Sequence, residues 1–227
     1  STHMVTKATK CLPLPRSVDS EQGSMLFVNP LTALAFVKKA KEIGANAILM
    51  NAAGSSVAKM VVSLANEESL STFGLVRSEL AEEMAKNYGF DSVINENDLG
   101  RVKSAVKSTS KVLFLDAVGG GSLPQETLYQ LPLGSHMLVY GRLSLEESSY
   151  EPSAFLFKDY TMEGFWLSNL LSKKSFTETI LDTRKATNFL KTGFTTKIRK
   201  RIKLDDLVPA IMEYENNMSG GKIILEF

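Results

Sequence analysis

One cysteine in 227 residues rules out an internal disulfide and a cysteine-rich zinc site, and two histidines supply few metal ligands. No metal centre is expected. Charge of one sign is also missing: 26 basic and 25 acidic residues give a net charge of +1, so no global excess points to nucleic acid or to a membrane surface. No apolar run reaches the roughly 18 residues that span a bilayer, and no secretory signal is visible. With thiols so scarce, a reducing, cytoplasmic setting is expected. What remains is ordinary globular material, 44% hydrophobic and 22% charged, enough for a sizeable core. The length suits one large domain, or one and a half at about 150 residues each. Ser1-Thr2-His3-Met4 reads as a cloning remnant outside the fold.

From Gly44 onward, short β-rich runs alternate with helix-patterned stretches, the pattern of βαβ units around a parallel sheet. The expected fold class is therefore α/β, a doubly wound parallel sheet. Strands are expected at 46–51, 72–76, 92–94, 111–116, 136–140 and 160–165. Val57, Met60, Val61 and Leu64 form one helical stripe; Leu80, Met84 and Tyr88 form another, closed by Gly89. Asn29 as a cap and Pro30 in the first position predict a helix over 31–43. Shorter helices are expected at 99–107 and 125–130, and a longer one at 177–190. The last third differs: Phe194 to Lys203 is an extended basic segment, and Asp205-Asp206 open a helix with Leu207, Ile211 and Tyr214 on one face. Ser219-Gly220-Gly221 then turn into a strand, Lys222 to Phe227.

The small-residue turn Ala52 to Ala58 lies between the first strand and its helix, where free N–H groups and the helix dipole favour an anion. The glycine fingerprint of dinucleotide-binding loops is incomplete: its three positions hold Ala53, Ser55 and Ala58. A tight turn without a ligand is the competing account. The end of the second strand adds a second signal. About 20 residues past the loop, an acidic residue would hold the ribose hydroxyls of NAD, whereas an arginine suits a 2′-phosphate. Arg77 stands there, followed by Ser78, which together offer a planar fork and a hydroxyl to phosphate. A solvated arginine at a strand end is the alternative. The run from Lys197 to Lys203 lacks interleaved aromatics and is read as basic side chains in water or against acidic neighbours, not as a nucleic-acid site. His136 and Cys11 have no partners for catalysis, and Asp116 reads as a turn former.

Taken in order, Asn29-Pro30-Leu31-Thr32-Ala33, Asn51-Ala52-Ala53-Gly54-Ser55-Ser56-Val57, Val76-Arg77-Ser78 and Asp116-Ala117-Val118-Gly119-Gly120 resemble the zinc-independent medium-chain dehydrogenase/reductases. The likeness continues through Tyr140-Gly141, Gly164-Phe165-Trp166-Leu167 and Gly220-Gly221-Lys222-Ile223-Ile224-Leu225, and so covers nearly the whole chain. Within that superfamily it is most similar to the quinone oxidoreductases and trans-2-enoyl reductases. The resemblance implies a Rossmann fold and NADPH-dependent hydride transfer without zinc. It implies that Thr32 approaches the nicotinamide ribose, and that Asn51 belongs to the cofactor-binding set. Gly54, Ser55, Ser56 and Val57 would give backbone donors to the pyrophosphate, and Arg77 with Ser78 would hold the 2′-phosphate. Val118 and Gly119 would border the adenosine and nicotinamide ribose, and Tyr140, Gly141, Phe165 and Trp166 the nicotinamide. Lys222 would reach the cofactor phosphates, unless it is only an exposed strand-end lysine.

In that family a GroES-like N-terminal domain forms most of the substrate pocket and carries the catalytic tyrosine of the enoyl reductases, so no catalytic residue is assigned here. The resemblance makes 1–24 the remnant and lead-in, 25–192 the dinucleotide-binding domain and 193–227 a return segment of the catalytic domain, so pieces of a second domain stand at both termini. The chain is then an excised cofactor domain or a naturally shortened protein. A non-catalytic dinucleotide-binding or dimerisation protein is the alternative function. A methyltransferase on a related sheet is a third, against which Arg77 speaks. Relatives pair through the edge of the cofactor sheet, so a homodimer through the 160–165 strand or its neighbour is expected.

Overall fold

The computed structural model describes residues 3, 5–7, 11, 14–16, 18–191, 195–216 and 220–226. Phe194, Ser219 and Phe227, expected in the basic segment, the turn and the last strand, lie outside these. Two helices come first, α1 (Ser20–Ser24) and α2 (Val28–Glu42). Strand and helix then alternate through β1 (Ala47–Met50), α3 (Ser56–Glu67), β2 (Ser71–Val76), α4 (Glu79–Tyr88), β3 (Ser92–Asn95) and α5 (Gly100–Ala105). The series continues with β4 (Val112–Asp116), α6 (Leu123–Leu128), β5 (His136–Val139), α7 (Pro152–Lys158) and β6 (Thr161–Gly164). Helices α8 (Leu167–Ser172) and α9 (Phe176–Lys191) lead to β7 (Ile198–Ile202), α10 (Leu207–Asn216) and β8 (Lys222–Leu225). The chain divides into two compact units, Thr32–Leu170 and, separately, Ser1–Leu31 with Leu171–Phe227.

The Thr32–Leu170 unit is a six-stranded sheet in the order β3-β2-β1-β4-β5-β6, every pair parallel. This is the expected doubly wound class, and the strand order reverses between β1 and β4. All residues of β1 and β4 are buried, as sheet strands covered by helices on both faces must be. Their apolar runs are therefore continuous instead of alternating. Leu49, Phe73, Leu75, Phe114, Leu128 and Met137 share one core cluster. At the margin, every residue of β6 is exposed, so one edge of the sheet is open. His136 on neighbouring β5 is buried, with Nε2 3.3 Å from the Glu163 carboxylate of β6, which also accepts a bond from Lys39 of α2. Burial, with the nearby Lys39 charge, holds this imidazole below its ordinary pKa.

Three expectations about helices need correction. Helix α2 begins at Val28, so Asn29 and Pro30 sit inside its first turn instead of capping it. Proline is tolerated there because first-turn N–H groups have no intrahelical acceptor. On α4 the expected stripe is displaced: Leu80 is 59% exposed, and Ala85 is the buried residue. The space beside that helix is too narrow for leucine, since a Cβ on Gly54 would stand 3.2 Å from Ala81. Helices α1, α7 and α8 were not expected, because five to seven residues are too few to show an apolar stripe. In α7, Leu156 and Phe157 even face solvent.

The second unit pairs β7 with β8 in parallel. The basic residues of β7 meet carboxylates: Arg201 bonds Glu21 of α1, while Arg199 and Lys200 lie 3.5 and 3.2 Å from Glu213 of α10. Gln22 of α1 exchanges two bonds with the Thr196 backbone, at 3.0 and 2.9 Å. Asp205 and Asp206 form a short 3₁₀ turn before α10 instead of its first turn. Among the described residues no helix is long and apolar enough to cross a membrane, and no group of His, Cys, Asp and Glu could hold a metal ion.

Candidate functional site

Parallel strands in one sheet deliver their carboxyl ends to one side, and the crevice forms where strand order reverses. Here that side receives Asn51 after β1, Arg77 after β2, Ala117 to Gly119 after β4, Tyr140 and Gly141 after β5, and Phe165 and Trp166 after β6. All the candidate residues except Thr32 and Lys222 thus leave the carboxyl ends of one sheet or the loops that continue them. The loops extend the ladder beyond the strands: Ala53 N–H donates to Leu75, Tyr140 N–H to Asp116 and Phe165 N–H to Val139, at 3.1, 2.9 and 2.8 Å.

Asn51 and Asp116 are fully buried at the switch point. The Asn51 amide donates to Asp116 Oδ1 and accepts the Ala117 N–H at 2.7 Å. Asp116 Oδ1 also accepts the N–H groups of Val118 and Gly119, at 3.0 and 3.1 Å. The aspartate is therefore a turn former, and Asn51 ties the β1 loop to the β4 loop. Burial raises Asp116 above the usual carboxylate range, partly offset by these bonds.

The folded chain consequently holds the Asp116 proton to higher pH than the unfolded chain, whose carboxyl titrates near ~3.9. The stability linked to that proton is complete below this value and is lost as pH rises through the folded-state pKa. Asp116→Asn keeps an oxygen to accept the same N–H groups but cannot ionise. Urea denaturation from about pH 4 upward should therefore show the variant gaining on the wild type as pH rises. Curves that stay parallel would contradict this.

The β4 and β5 loops meet backbone to backbone. Gly119 has φ +67°, and a Cβ there would fall 2.2 Å from the Gly141 carbonyl; one on Gly141 would fall 2.5 Å from the Ala117 carbonyl. Both glycines thus have a packing reason as well as any ligand-related one. Leu143 and Ser144 N–H groups donate to the carbonyls of Ala117 and Val118, each at 3.1 Å, so residues 141–144 lie along this loop. Behind it, Phe36 of α2 is fully buried and stands edge-on to Tyr140 and Phe165, with ring centroids 4.8 and 4.9 Å apart. Buried Thr32 lies one helical turn before Phe36. Burial raises the Tyr140 pKa far above its ordinary value, so its hydroxyl stays protonated and can donate a hydrogen bond.

The β1 loop ends in a helix cap: Ser55 Oγ accepts the Ala58 N–H at 3.2 Å. Ser56 and Val57 open α3, where their N–H groups have no intrahelical acceptor. Ser78 caps α4 in the same way through the Ala81 N–H at 3.3 Å, and Arg77 before it is exposed. Arg77 lies within electrostatic reach of Glu96, whose carboxyl is raised by burial and partly lowered by the arginine. Two candidates remain. Trp166 is 73% exposed, and Lys222 belongs to the other unit, where its ammonium bonds the Tyr214 hydroxyl and lies 5.1 Å from that ring's centre. Phe36 and the Asn51–Asp116 pairing were not found from sequence. Only the buried polar type of the latter two, at two strand ends, hinted at it.

The residues present suit a phosphate-rich dinucleotide: unpaired first-turn N–H groups, a capping hydroxyl and an exposed guanidinium stand on adjacent strand ends. No protein-family model matches the chain. It is 32% identical over 180 residues to the mitochondrial enoyl-acyl-carrier-protein reductase of Arabidopsis thaliana, covering 75% of this chain and 48% of that protein. It is 28% identical over 184 residues to an NADPH quinone oxidoreductase of Kluyveromyces marxianus, covering 74% of this chain and 48% of that one. A provisionally assigned NADPH:quinone reductase of Mesorhizobium loti, known from its crystal structure, matches with a TM-score of 0.83 at 28% identity, covering 96% of this chain and 63% of that chain. The chain spans about half the length of the curated relatives it matches.

Proposed function

The chain belongs to the medium-chain dehydrogenase/reductase superfamily, and from that membership we propose that it binds NADPH for an oxidoreductase of the quinone or enoyl type. The observation that carries this reading is the arrival of the β1 loop and Arg77 at neighbouring strand ends beside the switch point. NADPH, when bound, supplies the hydride. Ser56 and Val57 N–H groups would hold its pyrophosphate, Arg77 and Ser78 its 2′-phosphate, and the Phe36-backed Tyr140 and Phe165 would border its nicotinamide. The hydride acceptor would be an electron-poor alkene or a quinone. The chemistry needs no metal ligand from this chain, so developing charge on the acceptor would be met by protein donors.

A homodimer through β6 and a cytosolic location belong to the same reading, the first supported by the exposed edge strand and the second by the single cysteine. Mixing the chain with NADPH should raise and blue-shift nicotinamide fluorescence, and light scattering should give twice the chain mass. Unchanged fluorescence would remove the cofactor reading, and a monomer at micromolar concentration the dimer.

A further inference from the structure

We propose that Tyr88 is a positioning residue for the phosphate-binding loop, holding the Gly54–Ser55 peptide group in one orientation through its hydroxyl. The inference deepens the cofactor reading above and rests on it. Tyr88 is the last residue of α4, and its Oη donates to the Gly54 carbonyl at 3.2 Å across 34 residues of sequence. The N–H of the same peptide group, on Ser55, donates to the Ala52 carbonyl at 3.0 Å. Both polar atoms of one peptide are therefore engaged, and the group cannot rotate without losing two bonds.

The geometry needs such a restraint. Ala52 has φ +51°, a left-handed conformation that a non-glycine residue keeps only when its surroundings enforce it. Close packing of Gly54 on Ala81 places the loop against the same helix that carries Tyr88. Half-burial raises the Tyr88 pKa, so the hydroxyl keeps its proton and remains a donor at neutral pH.

The clamp also sorts the donors that an anion would meet. Ser55 N–H is withdrawn into the loop, which leaves the Gly54, Ser56 and Val57 N–H groups and the Ser55 hydroxyl proton, since Ser55 Oγ only accepts from Ala58. Because Ser78, next to Arg77, caps α4, one helix supports both the 2′-phosphate end and, through Tyr88, the pyrophosphate end. Loss of the hydroxyl should therefore affect a ligand with a pyrophosphate and spare one that reaches only Arg77 and Ser78.

Tyr88→Phe keeps the ring and its packing and removes one hydrogen bond. Two measurements on the full chain test its role. In the ligand-free chain, amide exchange at Ser55 should be about fivefold faster in the variant. The Kd for NADPH should rise about fivefold, while that for 2′-AMP, which has no pyrophosphate, stays the same. Unchanged Ser55 exchange, or an equal loss for both ligands, would overturn the proposal. Failure of the cofactor reading looks different: the wild-type chain would bind neither ligand, and the exchange rates would still decide whether Tyr88 clamps the loop.

Discussion

Arg77→Ala should weaken NADPH binding roughly 10- to 100-fold while leaving NADH within about twofold of wild type. The two cofactors differ only by the 2′-phosphate, so the ratio isolates the group that Arg77 is proposed to hold. A guanidinium bonded to phosphate makes charge-assisted, often paired hydrogen bonds, about twice as strong as neutral ones. Arg77 is exposed after β2, and its removal empties no core space, so stability should stay within about 0.5 kcal/mol of wild type. Its charge also reaches half-buried Glu96, just past β3. That carboxylate would compete with the phosphate for the arginine, which keeps the expected loss at the modest end. Calorimetric titration of both cofactors checks the prediction, and a parallel loss for NADPH and NADH would contradict it.

Gly119→Ala should destabilise the sheet unit by about 3 kcal/mol or more and lower Tm by roughly 10 °C. Two physical terms add. An L-residue at φ +67° costs roughly 1 to 2 kcal/mol, and the new methyl would stand 2.2 Å from the Gly141 carbonyl, a backbone atom that cannot rotate away. Gly44 separates the two terms: its φ is +69°, yet a Cβ there meets nothing within 4 Å. Gly44→Ala should therefore carry the conformational cost alone. Paired urea melts measure the difference, and equal losses at the two glycines would contradict a role for close loop packing. The Val118–Gly119 turn would also shift from the Asp116 carboxylate that orders it, so Gly119→Ala should lose NADPH affinity, whereas Gly44→Ala should keep it.

These two residues also show what can be seen in a sequence. Arg77 stands at a fixed distance from a strand-to-helix turn, and such local spacing survives without knowledge of the fold. The strands were legible for a related reason: β1 and β4 are buried on both faces, so each is an unbroken apolar run. Helical detail was legible only where burial follows size. The stripe of α3 is one case, with Met60, Val61 and Leu64 buried as expected. On α4 burial follows smallness, because Gly54 comes so close to Ala81, and the large Leu80 turns outward.

Contacts made by folding left no local trace. Asn51 and Asp116 are 65 residues apart, and Tyr88 and Gly54 are 34 apart. Each pairing depends on strand order or helix packing, which no periodicity encodes. Gly119 and Gly141 were legible as glycines at strand ends, but their mutual contact was not. The sequence suggested a ligand reason for them, and the structure adds that two backbones touch.

The carboxyl ends of β1 and β2 are proposed to select a dinucleotide bearing a 2′-phosphate. Calorimetric titration of the wild-type chain with NADPH and then NADH, in one buffer at one ionic strength, tests it most directly. NADPH should bind at least about tenfold tighter than NADH, in line with a charge-assisted contact. Equal affinities, or binding of neither cofactor, would contradict it.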